Sequence, residues 1–450
     1  MTVERPTGDT ELPLSYNQEF LCLFDQGNEA GPFGPRYNIV HASRVYGGVD
    51  VETLRLALDD LVVRHEVLRT TVVRDGEEKR QRIHPPSSPT LIVRDLADTG
   101  AESRDVLAER FVIDIDGSGH SVTTLPHLHA YLGRFDDQEA VLALVVHHTA
   151  TDGWSMQVLM RDLAVCYARR RGHEVAQEPA SQYREFTAWQ AENLDDEFAD
   201  EAREYWQDKL DGAGVLAVPT DHPRSAGLPK NTAIHRFLIP AEVGAATVEL
   251  SRAQRSSPFM VLLAAFNVLM RELTGAEDAV VPVITSGRPH DEFNDTVGPI
   301  FNFVPFRTDL SGATTFREVL AATRATCIEA YSYEIPFLQI AAQAPELMGP
   351  VMQDTAAAVA IQVVQFPTVL DREKVGDLEY TEIRRRLISQ PSGEDIPDGA
   401  LFTLDIDPAG EFVGRLGFNT NIYDEATMVD LVARFERVLR RAVSEPDAPL

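Results

Sequence analysis

The chain has 450 residues, of which 44% are hydrophobic, 25% charged and 8% aromatic. This length and composition exclude a disordered chain, a collagen-like repeat and a small disulfide-stapled domain, and they allow more than one buried core. Aspartate and glutamate number 70 against 41 lysines and arginines, which gives a net charge of −29. Such a field repels phosphate backbones and anionic lipid, so we predict neither nucleic acid nor membrane as a partner.

The sequence also predicts a compartment. The longest nearly apolar run, residues 259–270, is interrupted by Asn267 and falls short of the roughly 20 residues that cross a bilayer. Residues 1–12 carry three acidic side chains in place of a basic start and an apolar stretch, so no secretory signal is expected. We predict a cytoplasmic protein. Reduced, buried thiols are expected at Cys22, Cys166 and Cys327.

In chain order, the first half alternates predicted helices and strands. Residues 52–64 place leucine and valine at helical spacing, and residues 70–74 follow as a strand. Residues 141–146 form an unbroken, valine-rich apolar run, which predicts a central strand covered on both faces. After Gly153, apolar residues recur every three or four positions until three arginines and Gly172, which predicts a helix with a glycine stop.

A boundary is predicted at residues 172–182, which contain Pro179 and several small or charged residues. We therefore divide the chain into an N-terminal domain at 1–178 and a C-terminal domain at 179–450. The second half begins with a polar helix over 183–210. Further strands are predicted at 233–239, 279–285, 300–308, 359–366, 401–406 and 413–420, and further helices at 257–274, 314–331 and 425–441. Each half is predicted to be α/β, with helices against a mixed sheet.

A polar loop follows the strongest predicted strand, where a rigid scaffold commonly presents reactive groups. It reads HHTATDGWS over residues 147–155. A histidine there can act as a base or a hydrogen-bond donor near neutral pH, and Asp152 can orient the imidazole or anchor the loop through an arginine. Gly153 allows a close turn into the helix, whose first amides face the same space. The spacing favours a functional site.

Other interpretations of this loop exist. Two histidines at the end of a strand also occur as structural residues, and His and Asp together can bind zinc. No third ligand stands at motif spacing, so a metal is not predicted. Ser155 could be a nucleophile, but the chain has no Gly-x-Ser-x-Gly elbow, and we interpret Ser155 as a hydrogen-bonding residue at the helix start.

The run at 147–155 resembles the HHxxxDG motif of condensation domains from nonribosomal peptide synthetases, a branch of the chloramphenicol-acetyltransferase-like acyltransferases. Further segments resemble the family's motifs in the expected order: PLSYNQEFLCLFD (13–25), RHEVLRT (64–70), YREFTAW (183–189), VGPIFNFVPFR (297–307) and YEIPF (333–337). The likeness extends over nearly the whole chain. One segment departs from it, because residues 353–362 read QDTAAAVAIQ and lack the arginine and asparagine of the family's late RDxSRNPL-type motif.

The resemblance implies an α/β fold of two chloramphenicol-acetyltransferase-like subdomains in a V-shaped pseudo-dimer with a central tunnel. It also implies that two crossing segments of the C-terminal half, near 286–296 and 368–398, limit how far the halves open. The second histidine is intact, which separates the chain from non-condensing relatives that have lost it. The run HHTATDGW followed by Ser resembles the peptide-bond-forming branch more than the epimerases of the superfamily.

In this family a donor acyl or aminoacyl group arrives as a thioester on the phosphopantetheine arm of a peptidyl carrier protein, and a small-molecule amine or alcohol is the acceptor. The resemblance therefore implies an acyltransferase-type condensation enzyme that forms an ester or amide bond without a bound cofactor or metal. His148 is the implied catalytic residue, which either removes the acceptor's proton or holds the acceptor in line. The Gly153 amide is a candidate donor to the oxyanion.

Several residues are implied in support of this chemistry. Asp152 is expected to pair with Arg288 and to act structurally, and His147 and Trp154 are expected to support the loop. Asn302 and Ser155 are candidates for the tunnel lining. The basic residues between 64 and 82, at 169–171 and at 384–386 are candidates for seating the carrier protein.

Free-standing members of the family serve hybrid natural-product pathways, including those that attach a β-amino acid to an enediyne core. The chain begins a dozen residues before the first motif and ends just after the last predicted helix, which favours such a free-standing enzyme in antibiotic biosynthesis. Two alternatives stay open: a coenzyme A-dependent acyltransferase of the same superfamily, and a non-catalytic module that binds a carrier protein. The sequence does not choose between ester and amide.

Overall fold

The structure, a computed structural model, describes residues 10–75, 78–96, 100–194, 197–366 and 370–450. Its strands are β1 Thr10–Pro13, β2 Asn38–Tyr46, β3 Thr70–Val73, β4 Arg80–Ile83, β5 Thr90–Asp95, β6 Leu128–Arg134, β7 Glu139–His147, β8 Val218–Pro219, β9 Thr232–Ile239, β10 Asp278–Thr285, β11 Asn302–Asp309, β12 Ala356–Val364, β13 Asp371–Val375, β14 Leu378–Glu382, β15 Gly399–Ile406 and β16 Phe412–Asn419. Its α-helices are α1 Tyr16–Leu23, α2 Val51–Arg64, α3 Arg104–Asp116, α4 Gly153–Arg170, α5 Tyr183–Asn193, α6 Glu197–Lys209, α7 Ala241–Ala253, α8 Pro258–Thr274, α9 Phe316–Ser332, α10 Phe337–Gln343 and α11 Glu425–Ser444.

The described residues form two compact units. Unit 1 consists of the described residues of Met1–Asn193, Ser286–Phe301 and Phe366–Ile383, and unit 2 consists of those of Leu194–Thr285, Asn302–Gln365 and Arg384–Leu450. Both units are α/β, which confirms the predicted fold class. The predicted division after residue 178 differs from this one. The reason is that α5 packs its buried Tyr183 and Phe186 into the core of unit 1, and that two later segments join the same unit.

Unit 1 contains a six-stranded sheet in the order β13-β14-β2-β7-β6-β5 and a three-stranded sheet in the order β1-β4-β3. β7 pairs antiparallel with β2 on one side and with β6 on the other. Along β7, even-numbered residues from Ala140 to Val146 join the core formed with α2 and α4, and odd-numbered residues from Val141 to Val145 join the core formed with α3. Because both faces are covered, the strand needs no polar face. The predicted central strand is confirmed.

Unit 2 contains a sheet in the order β11-β10-β12-β15-β16-β9, to which β8 adds by pairing with β12. Its interior helix is α8, in which every residue from Val261 to Met270 is buried. Ser257 caps this helix by accepting a hydrogen bond from Met260 N at 3.2 Å, and Pro258 occupies the first turn, where no amide donor is needed. The segment that departs from the family motif, 353–362, lies largely in β12, whose Ala357, Val359 and Ile361 are buried.

Most predicted elements are confirmed to within a few residues, but the polar helix predicted over 183–210 is two helices, α5 and α6. The chain bends at Leu194, between the two helices, and residues 195–196 lie outside the described ranges. The structure adds elements that were not predicted, among them β2, β6, α3, α7 and the hairpin β13–β14. That hairpin lies in the predicted crossing segment 368–398, of which residues 368–369 are outside the described chain, and β14 pairs with β2 of unit 1.

No single helix in the described ranges is long and apolar enough to cross a membrane; α7 and α8 meet that test only as a pair, which is bent by 104°. Cys22, Cys166 and Cys327 are buried and unbridged, as predicted. Burial raises the pKa of the Cys327 thiol to about 12, so this side chain stays protonated at neutral pH.

Candidate active site

The candidate site lies in unit 1, in the loop between β7 and α4. Asp152 is the N-cap of α4, because its carboxylate accepts a hydrogen bond from Ser155 N at 2.6 Å. At the start of the loop, Ala150 N donates to His147 O at 2.9 Å. Both ends of the loop are thus tied to the elements beside it, which fixes the backbone that carries its side chains.

A buried ion pair anchors the loop to the Ser286–Phe301 segment of the same unit. Arg288 Nη1 lies 2.8 Å from Asp152 Oδ2, and the two side chains are 2% and 7% exposed. Ile300 N donates to the same carboxylate oxygen at 3.0 Å. Arg288 also donates to the carbonyls of Ile300 and Thr296, each at 3.1 Å. The structure therefore brings together the two residues that were expected to pair, and it surrounds both with further hydrogen bonds.

Ser155 and Trp154 belong to the same cluster. The Ser155 hydroxyl donates to Gly298 O at 3.0 Å and accepts from Gly298 N and Arg288 Nη2 at 3.1 Å. These bonds use the hydroxyl fully, and Ser155 is completely buried. A tunnel-lining role for Ser155 stays a prediction. The Trp154 ring centroid lies 5.3 Å from the Arg288 guanidinium, and its Nε1 donates to Asn294 O at 2.8 Å.

His147 is a buried, neutral histidine. Its Nε2 lies 3.1 Å from Gly34 O, a carbonyl that can only accept, so Nε2 carries the proton. Its Nδ1 then accepts from the Thr149 hydroxyl at 2.9 Å. Burial, followed by the neighbouring His127, lowers the pKa of His147 to about 3. His147 therefore acts as a neutral hydrogen-bonding link between the loop and Gly34.

His148 has the opposite tautomer. Its Nδ1 lies 2.7 Å from Thr151 O, so Nδ1 is the protonated nitrogen and the ring's basic lone pair is on Nε2. The imidazole stacks on Tyr37, with ring centroids 4.7 Å apart and planes inclined by 16°, and contacts Phe301 at 5.4 Å and 66°. Unlike His147, His148 is only partly buried. This side chain can therefore accept a proton at Nε2.

Gly153 is the first residue of α4. The first amides of a helix have no partner within it, and the helix dipole favours negative charge at that end. A Cβ at Gly153 would lie 3.5 Å from Phe366 Cζ, so the Phe366 ring is close to this residue. The role of the Gly153 amide as an oxyanion donor stays a prediction that this position supports.

Asn302 lies in unit 2, at the start of β11. Its amide donates to Glu334 Oε1 at 3.1 Å and to Ile335 O at 2.9 Å, and its carbonyl accepts from Phe337 N at 2.9 Å. Burial raises the pKa of Glu334, while the bonds from Thr285 and Asn302 oppose that rise. These contacts tie the start of β11 to the segment that leads into α10, and a tunnel-lining role for Asn302 stays a prediction.

The segment RHEVLRT serves the architecture of unit 1. Asp162 of α4 accepts from Arg64 Nε at 2.6 Å, contacts His65 Nε2 at 2.9 Å and pairs with Arg161 at 3.0 Å. Burial opposes ionisation, but these three partners hold the pKa of Asp162 well below its usual range. The motif therefore attaches α2 to the helix that follows the candidate site.

Most of the basic residues that were candidates for seating a carrier protein are paired with carboxylates. The pairs are Arg64–Asp162, Arg69–Glu66, Arg74–Asp25, Arg80–Glu11, Arg82–Glu11, Arg170–Asp60, Arg171–Asp377, Arg384–Asp407 and Arg385–Glu411. Each pair offsets a guanidinium charge locally. Electrostatic docking on these runs stays a prediction, and the pairing weakens its physical basis.

Sequence reasoning did not single out three aromatic residues that the structure places at the site, namely Tyr37, Phe301 and Phe366. Phe301 stands inside the segment at 297–307 that resembles a family motif, and this position was its only signal. Among the described residues, no group of three or more His, Cys, Asp or Glu side chains is arranged to hold a metal ion.

Comparison with known proteins decides the family. Residues 9–450 match the family model described as the condensation domain. The chain is a condensation domain. It is 32% identical to a linear gramicidin synthase protein of Brevibacillus parabrevis over 98% of its own length and 6% of that protein. It is 30% identical to the phosphinothricin tripeptide synthetase PhsC of Streptomyces viridochromogenes over 98% of its own length and 40% of that protein. The condensation domain thus spans less than half the length of either relative.

Among solved structures, the condensation domain resembles SgcC5 from Streptomyces globisporus, with 46% identity, a TM-score of 0.94, and coverage of 98% of this chain and 100% of that one. The family predicted from HHTATDGWS and the other motifs is confirmed. Condensation domains are acyltransferase-type enzymes that form amide or ester bonds from thioesters. This chain belongs to that enzyme class.

Removal of the Asp152 charge should destabilise the condensation domain strongly. Asp152→Asn leaves the Arg288 guanidinium buried without its counter-charge, so we expect a loss of about 3 to 5 kcal/mol in the free energy of unfolding. Chemical denaturation measures this loss. Asp152→Asn combined with Arg288→Met should recover part of it, whereas Asp430→Asn, in an exposed pair with Arg434, should change stability little. Equal effects of Asp152→Asn and Asp430→Asn would contradict the account.

Stability should fall as the pH is lowered from 7 to 5. Burial lowers the pKa of His127 to about 4 and that of His147 to about 3, against about 6.5 in the unfolded chain. Between these values the unfolded state binds more protons, so each histidine removes about 1.4 kcal/mol of stability per pH unit below 6.5. Denaturation at several pH values measures the slope. His127→Gln should reduce that slope, and His173→Ala, at an exposed site, should not. If His127→Gln and the wild type had the same slope, the buried, neutral state of His127 would be contradicted.

Proposed function

We propose that His148 is the general base of an ester-forming condensation between a carrier-bound acyl or aminoacyl thioester and an alcohol. The observation that carries this proposal is the bond of 2.7 Å between His148 Nδ1 and Thr151 O, which puts the basic lone pair on Nε2. A thioester is already activated, so the enzyme has to align two substrates and move one proton.

The proposed reaction has two proton transfers. His148 Nε2 takes the proton from the acceptor hydroxyl as its oxygen attacks the thioester carbonyl carbon. The oxyanion of the tetrahedral intermediate accepts a hydrogen bond from the Gly153 amide at the start of α4. The carbon–sulfur bond then breaks, and the imidazolium gives its proton to the sulfur of the departing phosphopantetheine thiolate, which becomes a thiol. The products are an ester and a free carrier thiol, and His148 returns to its starting state.

An aryl vicinal diol is the proposed class of acceptor. SgcC5, which is 46% identical to this chain, was crystallised with (R)-(-)-1-(2-naphthyl)-1,2-ethanediol. In this chain the His148 ring contacts Tyr37 and Phe301, and such apolar, aromatic surroundings suit an aryl group. The attachment of a β-amino acid to an enediyne core is a finer form of this proposal. An amine acceptor, which would give an amide, is the second candidate, since synthetases that form peptides are also relatives.

The proposed partner is a peptidyl carrier protein that brings the donor on its phosphopantetheine arm, in the cytoplasm. Two other functions are distinguished by simple observations. A coenzyme A-dependent acyltransferase would use soluble thioesters without any carrier. A non-catalytic module would bind a carrier protein equally well with or without the His148 imidazole.

His148→Ala should abolish product formation while leaving the fold intact. The assay is mass spectrometry of mixtures that contain a carrier protein loaded with a panel of aminoacyl thioesters and either 1-(2-naphthyl)-1,2-ethanediol or its amino-alcohol analogue. We expect loss of at least about a hundredfold in rate, because general base catalysis contributes that much or more. The matched control is His173→Ala, since His173 is half-exposed and lies beyond the C-terminal end of α4, the end opposite the loop; it should react like the wild type.

The outcomes separate the candidates. Ester formed from the diol by the wild type, and not by His148→Ala, supports the proposal. Amide as the only product would mean that the acceptor is an amine and not an alcohol. Equal rates from wild type and His148→Ala would remove His148 from the chemistry. Turnover with coenzyme A thioesters but not with any loaded carrier would favour the coenzyme A enzyme.

A further inference from the structure

We propose that Tyr37 is a positioning residue for the condensation reaction, whose ring orients the His148 imidazole and stabilises the imidazolium formed during the reaction. The inference rests on the function proposed for His148 and adds a second side chain to it. Tyr37 would act while His148 carries a positive charge and the acceptor oxygen attacks.

The contact between the two rings has the geometry that such a role requires. The ring centroids of Tyr37 and His148 are 4.7 Å apart and the planes are inclined by 16°, so the imidazole lies over the face of the phenol ring. The face of an aromatic ring carries negative charge density and attracts a cation within about 6 Å. A neutral imidazole gains little from that attraction. The interaction therefore strengthens when His148 takes the proton, which is the property that lowers a reaction barrier.

Hydrogen bonds fix the backbone of both stacked residues, Tyr37 and His148. His148 N donates to Tyr37 O at 2.8 Å, and Tyr37 N donates to Gly34 O at 3.2 Å. His147 Nε2 donates to that same Gly34 carbonyl at 3.1 Å. The two adjacent histidines of the motif thus hold the turn that carries Tyr37, one through its side chain and one through its amide. This arrangement assigns His147 a purpose in addition to packing, since it places the ring on which His148 rests.

Among the described residues of the loop and its anchoring segment, the titratable and charged neighbours of His148 are a neutral histidine and an ion pair. His147 is neutral at neutral pH, because burial lowers its pKa to about 3. Asp152 and Arg288 form an ion pair whose charges offset one another. Arg36 precedes Tyr37 in the chain, and the substitutions below leave it unchanged, so its field is the same in every variant that is compared.

The test compares Tyr37→Leu with Tyr37→Phe. Leucine keeps an apolar side chain but removes the ring face, whereas phenylalanine keeps the face. With a carrier-loaded aminoacyl thioester and 1-(2-naphthyl)-1,2-ethanediol as probes, Tyr37→Leu should lower kcat by about threefold to tenfold with little change in KM, and it should move the acid limb of the pH–rate profile to lower pH by about half a unit. Tyr37→Phe should stay within about twofold of wild type. Tyr46→Leu controls for the loss of a tyrosine near β2, since Tyr46 is the last residue of that strand and Tyr37 immediately precedes its first.

The results distinguish the two proposals. If the wild type is inactive with every loaded donor, or if His148→Ala is active, the proposed function is contradicted. Suppose that the wild type is active, that His148→Ala is inactive, and that the pH–rate profile of Tyr37→Leu superimposes on that of the wild type. This result would contradict the role of Tyr37 and leave the proposed function standing. If Tyr37→Leu loses activity through misfolding, circular dichroism shows it, and Tyr37→Met then repeats the test with a flexible side chain. A Tyr37→Phe variant as impaired as Tyr37→Leu also contradicts the inference, since it would assign the effect to the hydroxyl.

Discussion

The buried ion pair between Asp152 and Arg288 is the interaction on which the site depends. One carboxylate caps α4 through Ser155 N, receives the Arg288 guanidinium and accepts the amide of Ile300. It therefore joins the loop after β7, the start of α4 and the segment Ser286–Phe301 at a single point. A buried pair of this kind adds little to stability over an apolar replacement, but removal of one partner is costly. Its contribution is to fix one conformation of the loop.

With the loop fixed, the two adjacent histidines take different roles through their hydrogen bonds. His147 donates from Nε2 to Gly34, and His148 donates from Nδ1 to Thr151. His147 is neutral and structural, and His148 carries its basic lone pair on Nε2, as the proposed reaction requires. The difference arises chiefly from two backbone carbonyls, since each can only accept a hydrogen bond and so dictates which ring nitrogen is protonated. The same sequence letters, HH, thus encode two different tautomers.

Much of the fold could be predicted from local sequence patterns. The apolar run at 141–146 predicted a strand covered on both faces, because alternate residues enter two cores, and α8 was visible because its neighbours cover it on every side. The hairpin β13–β14 was not visible, because it consists mainly of polar residues at the edge of a sheet. The boundary after Asn193 was also missed, since the burial of one face of α5 in unit 1 depends on contacts with distant segments.

The site was predictable only in part for a similar physical reason. The residues of the loop came from a contiguous motif, and the partner of Asp152 came from family resemblance rather than from spacing. Tyr37 stacks on His148 and Phe301 contacts it edge to face, each across more than a hundred residues of chain, and no periodicity in the sequence reports such contacts. The sequence alone did not show that the Ser155 hydroxyl is used completely inside the Asp152–Arg288 cluster. Hydrogen-bond partners therefore decided roles that residue types left open.

The most direct test of this account is the protonation pattern of the two histidines in the folded protein. Nuclear magnetic resonance of the protein with isotope-labelled histidine, at about pH 8 where an ordinary imidazole is neutral, identifies the protonated nitrogen of each ring. His148→Ala and His147→Gln assign the two signals. We expect a proton on Nδ1 of His148 and on Nε2 of His147. A His148 ring protonated on Nε2 would place the lone pair on the nitrogen that faces Thr151, and it would contradict the proposed base.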